Sequence, residues 1–177
     1  PHFISSGSWD WIPAIPGRNI GIVKDVSLST RKAVSVDAPF VATDLPLPNT
    51  DYADIRVSAD LHNSSRQDVT GVIKGVINPG NVTFEQEVTI PAGDTLPVTL
   101  DHETFEQLRI QSPLLWWPNG YGDQNLYTLD LCYEIDGTVS HSQQVTFGIR
   151  EYTYDYTDDP DQNMQISCNG VRIMSKG

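Results

Sequence analysis

Apolar and polar residues alternate one for one through much of this chain, and helical spacing is nearly absent. Ala53, Ile55, Val57, Ala59 and Leu61 interleave with Asp54, Arg56, Ser58, Asp60 and His62. Tyr127, Leu129, Leu131, Tyr133 and Ile135 do the same against Thr128, Asp130, Cys132 and Glu134. Successive side chains of a strand leave opposite faces of a sheet, so each run predicts a strand with one face in a core and the other toward water. Further strands are predicted at 20–29, 33–42, 69–78, 82–90, 95–100, 105–111, 143–150, 163–168 and 171–174. Turn residues separate them: Asn78-Pro79-Gly80-Asn81, Pro91-Ala92-Gly93-Asp94, Asp136-Gly137 and Asn169-Gly170. Asn169-Gly170, between two short apolar runs, is the strongest hairpin signal, because a type I′ turn needs positive φ at both positions. Proline-rich residues 44–51 predict a surface loop, and a second break falls at 155–163. Many short strands without a long helix indicate an all-β fold, an immunoglobulin-like antiparallel β-sandwich over about residues 30–150 with flanking strands from neighbouring domains. The likeness is architectural, since the Cys…Trp…Cys spacing of an antibody domain is absent.

Composition narrows the partners. The chain has 177 residues and a formal net charge of −12, so phosphate backbones and anionic membranes repel it and nucleic acid is not an expected partner. No apolar run approaches the roughly 20 residues that a membrane helix needs, so no membrane partner is expected either. Cys132 and Cys168 form neither a metal spacing nor a redox motif. They read as two small buried or half-buried residues, with a disulfide left open. Asp158, Asp159 and Asp161 lack the glycine and closing glutamate of a calcium loop and read as an acidic loop. Glu85 and Glu87 share a strand face and read as solvated carboxylates. His2, His62, His102 and His141 are scattered, with no nucleophile motif beside them. Two sequons, Asn63-Ser64-Ser65 and Asn81-Val82-Thr83, have meaning only in a eukaryotic secretory protein. No metal, cofactor or catalytic residue is expected within the chain.

Two aromatic clusters remain. In Trp9-Asp10-Trp11, indole faces suit the C–H groups of a sugar ring and the carboxylate suits its hydroxyls. The competing reading makes Asp10 a brace for its own loop. Leu114-Leu115-Trp116-Trp117-Pro118-Asn119-Gly120-Tyr121-Gly122 reads first as a packed corner of the sandwich. Its alternative is a stacking platform built from Trp116, Trp117 and Tyr121, as in a stand-alone carbohydrate-binding module; a ligand-free, adhesin-like structural sandwich is the third reading.

Three separated segments together resemble glycoside hydrolase family 2, in particular its β-mannosidase and exo-β-glucosaminidase branches. Trp9-Asp10-Trp11 through Gly21-Ile22-Val23-Lys24-Asp25-Val26 resembles the end of that family's sugar-binding jelly roll. Leu115-Trp116-Trp117-Pro118-Asn119-Gly120 with Leu126-Tyr127 resembles the late part of its immunoglobulin-like domain. Phe147-Gly148-Ile149-Arg150-Glu151, then Cys168-Asn169-Gly170-Val171-Arg172-Ile173 and Lys176-Gly177, resembles the approach to its catalytic (β/α)₈ barrel. The resemblance implies three parts: residues 1–29 as a remnant of the jelly roll, 30–150 as the sandwich, and 151–177 as a linker and β-hairpin leading to a barrel outside the chain. It implies a retaining exo-acting parent enzyme that cleaves a terminal β-linked sugar with two barrel carboxylates. The expected partners are therefore that barrel, the sugar-binding domain of the same parent and the sugar itself. Asp10, flanked by Trp9 and Trp11, would line the subsite for the terminal sugar. A polysaccharide-degrading parent favours a periplasmic or extracellular setting.

Overall fold

The alternation at 53–61 becomes the middle strand of one sheet, and that at 127–135 an inner strand of another. A computed structural model describes residues 22, 25, 26, 28–157 and 163–174. It divides into two compact units, Pro1–Thr30 and Arg31–Gly177; half of the predicted strand at 20–29 falls outside the described residues, and its described residues 22, 25, 26, 28 and 29 are not in a strand. In chain order the second unit holds β1 (Val34–Asp44), β2 (Tyr52–Asn63), β3 (Val69–Asn78), β4 (Val82–Ile90), β5 (Thr95–Leu100), β6 (Arg109–Gln111), β7 (Tyr127–Ile135) and β8 (Thr138–Phe147). These are followed by β9 (Tyr152–Tyr156), β10 (Met164–Cys168) and β11 (Val171–Ile173). One sheet runs β1-β2-β5 with β6 also on β2, a second runs β4-β3-β7-β8, and a third runs β11-β10-β9. Pairing within these sheets is antiparallel throughout.

The first two sheets face each other and bury what the alternation pointed inward. Ala53, Ile55, Val57, Ala59 and Leu61 of β2 pack in one cluster with Leu129, Leu131 and Tyr133 of β7 and Ile73 and Ile77 of β3. Burial of such side chains contributes about 1.5–3 kcal/mol each, which is the main force holding the sandwich shut. Gly75 lies flat beneath the Phe84 ring of β4, where a Cβ would collide with that ring. The Tyr133 hydroxyl, carried into the core, donates to the Val88 carbonyl at 2.8 Å.

Three strand boundaries differ from the pattern reading. The run at 105–111 splits into a 3-10 turn, Glu106–Leu108, and a short β6. Asp101 sets this up: its carboxylate accepts from the amides of Glu103 and Thr104, and its carbonyl from Phe105. β8 starts at Thr138 rather than 143 because the Asp136-Gly137 turn, with φ of 49° and 72°, closes the β7–β8 hairpin immediately. At 151–177 the expected hairpin is present, its Asn169-Gly170 turn showing φ of 51° and 78°. A third strand, β9, joins it to make a sheet. The loop at 45–51 is also less superficial than expected, since Leu45 is buried in the core.

The β1–β8 edge is closed by side chains. The β7–β8 register slips at Tyr133/Glu134, a bulge that takes Ser140 out of the ladder. A bulge breaks the inward-outward alternation, and here Ser140 and His141 are both buried. The Ser140 hydroxyl accepts from the Val34 amide at 3.0 Å and donates to the Val34 carbonyl at 2.7 Å. His141 Nδ1 accepts from the Val36 amide at 3.1 Å. Ser140→Ala would strand two buried backbone groups of Val34, a loss of about 2–3 kcal/mol. Denaturant unfolding should show this loss for Ser140→Ala and none for Ser142→Ala, which alters an exposed serine on the same strand. Equal midpoints for the two would show that the edge does not depend on this hydroxyl.

Candidate functional site

Trp9, Asp10 and Trp11 lie outside the described residues, as do Asp158, Asp159 and Asp161. The second aromatic cluster is fully described. Pro118 to Tyr121 is a type II turn: the Tyr121 amide donates to the Pro118 carbonyl at 3.0 Å, and Gly120 takes the required positive φ, 86°. Either side of it, the Trp117 amide donates to the Asp123 carbonyl and Trp116 bridges Gln124. The two indoles thus stand on a small hairpin that leaves the sandwich after β6 and returns to β7.

Both indoles are half-buried, and their surroundings explain why. The Arg150 guanidinium sits 4.6 Å from the Trp116 ring centroid and 5.5 Å from that of Tyr152. Trp116 also rests on Gly148, where a Cβ would stand 2.8 Å from the indole's own Cβ. Trp117 rests in the same way on Gly122, where a Cβ would come within 2.7 Å of Cδ1. The Trp116 amide donates to the Ile149 carbonyl at 2.9 Å. Its carbonyl accepts from the Asn169 side chain at 3.0 Å, and Asn169 Oδ1 accepts in turn from the Glu151 amide at 2.9 Å. Finally, the Tyr121 hydroxyl accepts from the Met174 amide at 2.9 Å. Trp116 and Tyr121 are therefore joinery. They fasten the β9–β11 sheet to the sandwich, and the packed-corner reading describes them, whereas a stacking platform would need the Trp116 ring uncovered.

Sequence reasoning missed Arg150 and Asn169 as members of this joint. Arg150 carried a signal, because it stands two residues before Tyr152 and directly after the apolar Phe147-Gly148-Ile149. Asn169 was seen only as a turn former, and nothing local shows that its amide reaches Trp116.

A polar group lies near the start of β2. Asp54 takes two hydrogen bonds from Arg109, at 2.7 and 2.8 Å, and His102 Nε2 stands 3.6 Å away. Asp54 and His102, together with Thr43, Arg56 and Glu151, line a cleft of about 320 Å³. Hydrogen bonding from Arg109, then the charges of His102 and Arg109, hold the Asp54 carboxyl below the usual value of 3.8, against the opposing pull of burial. A carboxylate so held is a structural anion and a poor general acid. Among the described residues no three His, Cys, Asp or Glu side chains gather to hold a metal ion. Cys132 and Cys168 are free thiols, and burial pushes both upward in pKa, which leaves them unreactive. Asn63 is fully buried; its side chain donates to the carbonyls of Gln67, Ile90 and Pro91, so the first sequon is a loop brace. Glu85 and Glu87 are exposed on β4, as read.

The sequence model described as glycosyl hydrolases family 2 matches residues 34–150. An exo-β-D-glucosaminidase of Streptomyces avermitilis is 34% identical over 98% of this chain and 19% of that protein. A mannosylglycoprotein endo-β-mannosidase of Lilium longiflorum is 29% identical over 96% of this chain and 18% of its own length. The solved exo-chitosanase CsxA of Amycolatopsis orientalis superposes with a TM-score of 0.72 at 29% identity, covering 88% of this chain and 17% of CsxA. The chain thus spans about a fifth of the relatives that it matches.

Two outcomes follow from the geometry. Asn169→Gly keeps the positive φ of the turn and removes only the two side-chain bonds, so it should destabilise the β9–β11 sheet by about 1–3 kcal/mol. Unchanged melting would show that the clamp is idle. For Asp54 the folded pKa lies below the unfolded one, so its stabilisation is complete above pH 3.8 and is lost as pH falls through the lower folded value. The denaturant midpoint of the wild type should therefore fall more steeply below pH 3.8 than that of Arg109→Gln, whereas parallel curves would remove Asp54 from the acid response.

Proposed function

The chain belongs to glycosyl hydrolase family 2, and on that footing we propose that it is the accessory β-sandwich portion of a retaining exo-β-glycosidase whose substrate is a terminal β-linked glucosamine. The observation that carries the reading is 34% identity to an exo-β-D-glucosaminidase along 98% of the chain. The site supports it in a second way, because the Arg150 guanidinium lies over the Trp116 ring, which is therefore not free to stack on a sugar. Catalysis then falls to two carboxylates about 5 Å apart elsewhere in the same polypeptide, one acting as nucleophile and the other as acid and base. The sandwich supplies rigidity. In the whole enzyme Asp10, flanked by Trp9 and Trp11, accepts hydrogen bonds from hydroxyls of the terminal sugar.

The test uses the full-length protein with aryl β-glycosides of glucosamine, mannose, galactose and glucuronic acid. The glucosaminide should have the highest kcat/KM, with the β configuration retained in the first product. The 177-residue chain alone should turn over none of them. A hydrogen bond to a charged partner is worth about 1.5–3 kcal/mol, so Asp10→Ala should lower kcat/KM by about one to two orders of magnitude, and Asp10→Asn by less. A full-length enzyme selective for mannoside would overturn the sugar assignment. Asp10→Ala with lowered stability and unchanged kcat/KM per folded molecule would make Asp10 a loop brace.

A further inference from the structure

The chain holds two Asn-Gly pairs, Asn119-Gly120 and Asn169-Gly170, and each occupies the middle of a tight turn. This dipeptide carries a chemistry of its own. A glycine has no Cβ to shield its backbone nitrogen, which is therefore open to attack the side-chain carbonyl carbon of the asparagine before it. Whether the attack occurs depends on the freedom of that side chain to turn onto the nitrogen, and here the two pairs differ.

Asn169 is 5% exposed. Its Oδ1 accepts from the Glu151 amide at 2.9 Å, and its Nδ2 donates to the Trp116 carbonyl at 3.0 Å. Both ends of the side-chain amide are held, so the carbonyl carbon turns only when both bonds break. Asn119 is exposed. The hydrogen bonds of its hairpin run between other groups: Tyr121 amide to Pro118 carbonyl, Trp117 amide to Asp123 carbonyl, and Asn125 side chain to Leu115 carbonyl. Among the described residues none reaches the Asn119 side chain. A Cβ added to Gly120 would meet nothing within 4 Å, so the turn stands clear of the packed corner beneath it.

We propose that Asn119 is a site of spontaneous covalent modification, deamidation through a succinimide, and that the fold protects Asn169 from the same reaction. The Gly120 nitrogen bonds to Asn119 Cγ and gives its proton to solvent, while the Cγ–Nδ2 bond breaks and the amide leaves as ammonia. Water then opens the ring at either carbonyl. One opening gives aspartate on the original backbone. The other gives isoaspartate, in which the backbone passes through the former side chain and gains a methylene. Water is the sole co-reactant, and nothing is oxidised or reduced. Either product adds a negative charge to the turn that leads to Tyr121, whose hydroxyl meets the Met174 amide. The Asn169 clamp on Trp116 is spared.

Peptide mapping by mass spectrometry, with aspartyl and isoaspartyl peptides separated by elution, tests this on the full-length protein held at mildly alkaline pH. In the folded protein Asn119 should convert to both products. Asn169 should convert roughly tenfold more slowly or less, because two hydrogen bonds must break first. In guanidinium the two pairs should react at similar rates, since the clamp is then gone. Asn119→Gln should abolish conversion at that position, because the longer side chain closes a larger ring slowly, and should leave Asn169 as before. An unmodified Asn119, or equal rates at the two pairs in the folded protein, would overturn the proposal. Aspartate without isoaspartate would overturn the ring step. An Asn169 that stays unreactive in guanidinium would overturn the protective role of the fold.

Discussion

Bonds from three directions converge on Trp116. Its amide is held by Ile149, its carbonyl by the Asn169 side chain, and its ring by the Arg150 guanidinium. Ile149 and Arg150 follow the last strand of the sandwich, and Asn169 opens the turn of the terminal sheet. One residue thus sets the relation between the two bodies. The cation–π contact is worth about 0.5–2 kcal/mol and each hydrogen bond about 1, so no single member dominates. What they share is direction, because together they fix both distance and angle where a flexible linker would fix neither.

The sandwich supplies the rigid base that such a joint needs. Its core follows from the alternation of apolar residues on β2 and β7, and its β1–β8 edge is closed by Ser140 and His141 in place of a regular ladder. The first device packs β7 and β8 and the second anchors the start of β8 to β1, and the far end of β8 leads straight into Gly148, Ile149 and Arg150.

Most of this architecture is legible in the sequence, and the exceptions have physical causes. β3, β4, β5 and β7 lie at the predicted limits because each couples two-residue alternation to a glycine- or asparagine-bearing turn. β9 escaped because its alternation, Tyr152-Thr153-Tyr154-Asp155-Tyr156, runs into the acidic break that follows and reads as part of it. The Ser140 bulge is invisible to periodicity, since a bulge is a departure from period two that only the partner strand reveals. At the corner, the aromatic cluster announces itself, but Arg150 and Asn169 enter from distant positions by folding alone. The Asp54–Arg109 pair was hidden for the same reason, each member looking like an ordinary outward residue of its own strand.

The claim that the corner is a joint is tested most directly by amide hydrogen exchange on the full-length protein, comparing wild type with Trp116→Ala. The account predicts selective loss of protection across β9, β10 and β11, with β3 and β7 exchanging as before. Unchanged protection in the terminal sheet, accompanied by weakened binding of sugar, would contradict it and return Trp116 to the role of a ligand platform.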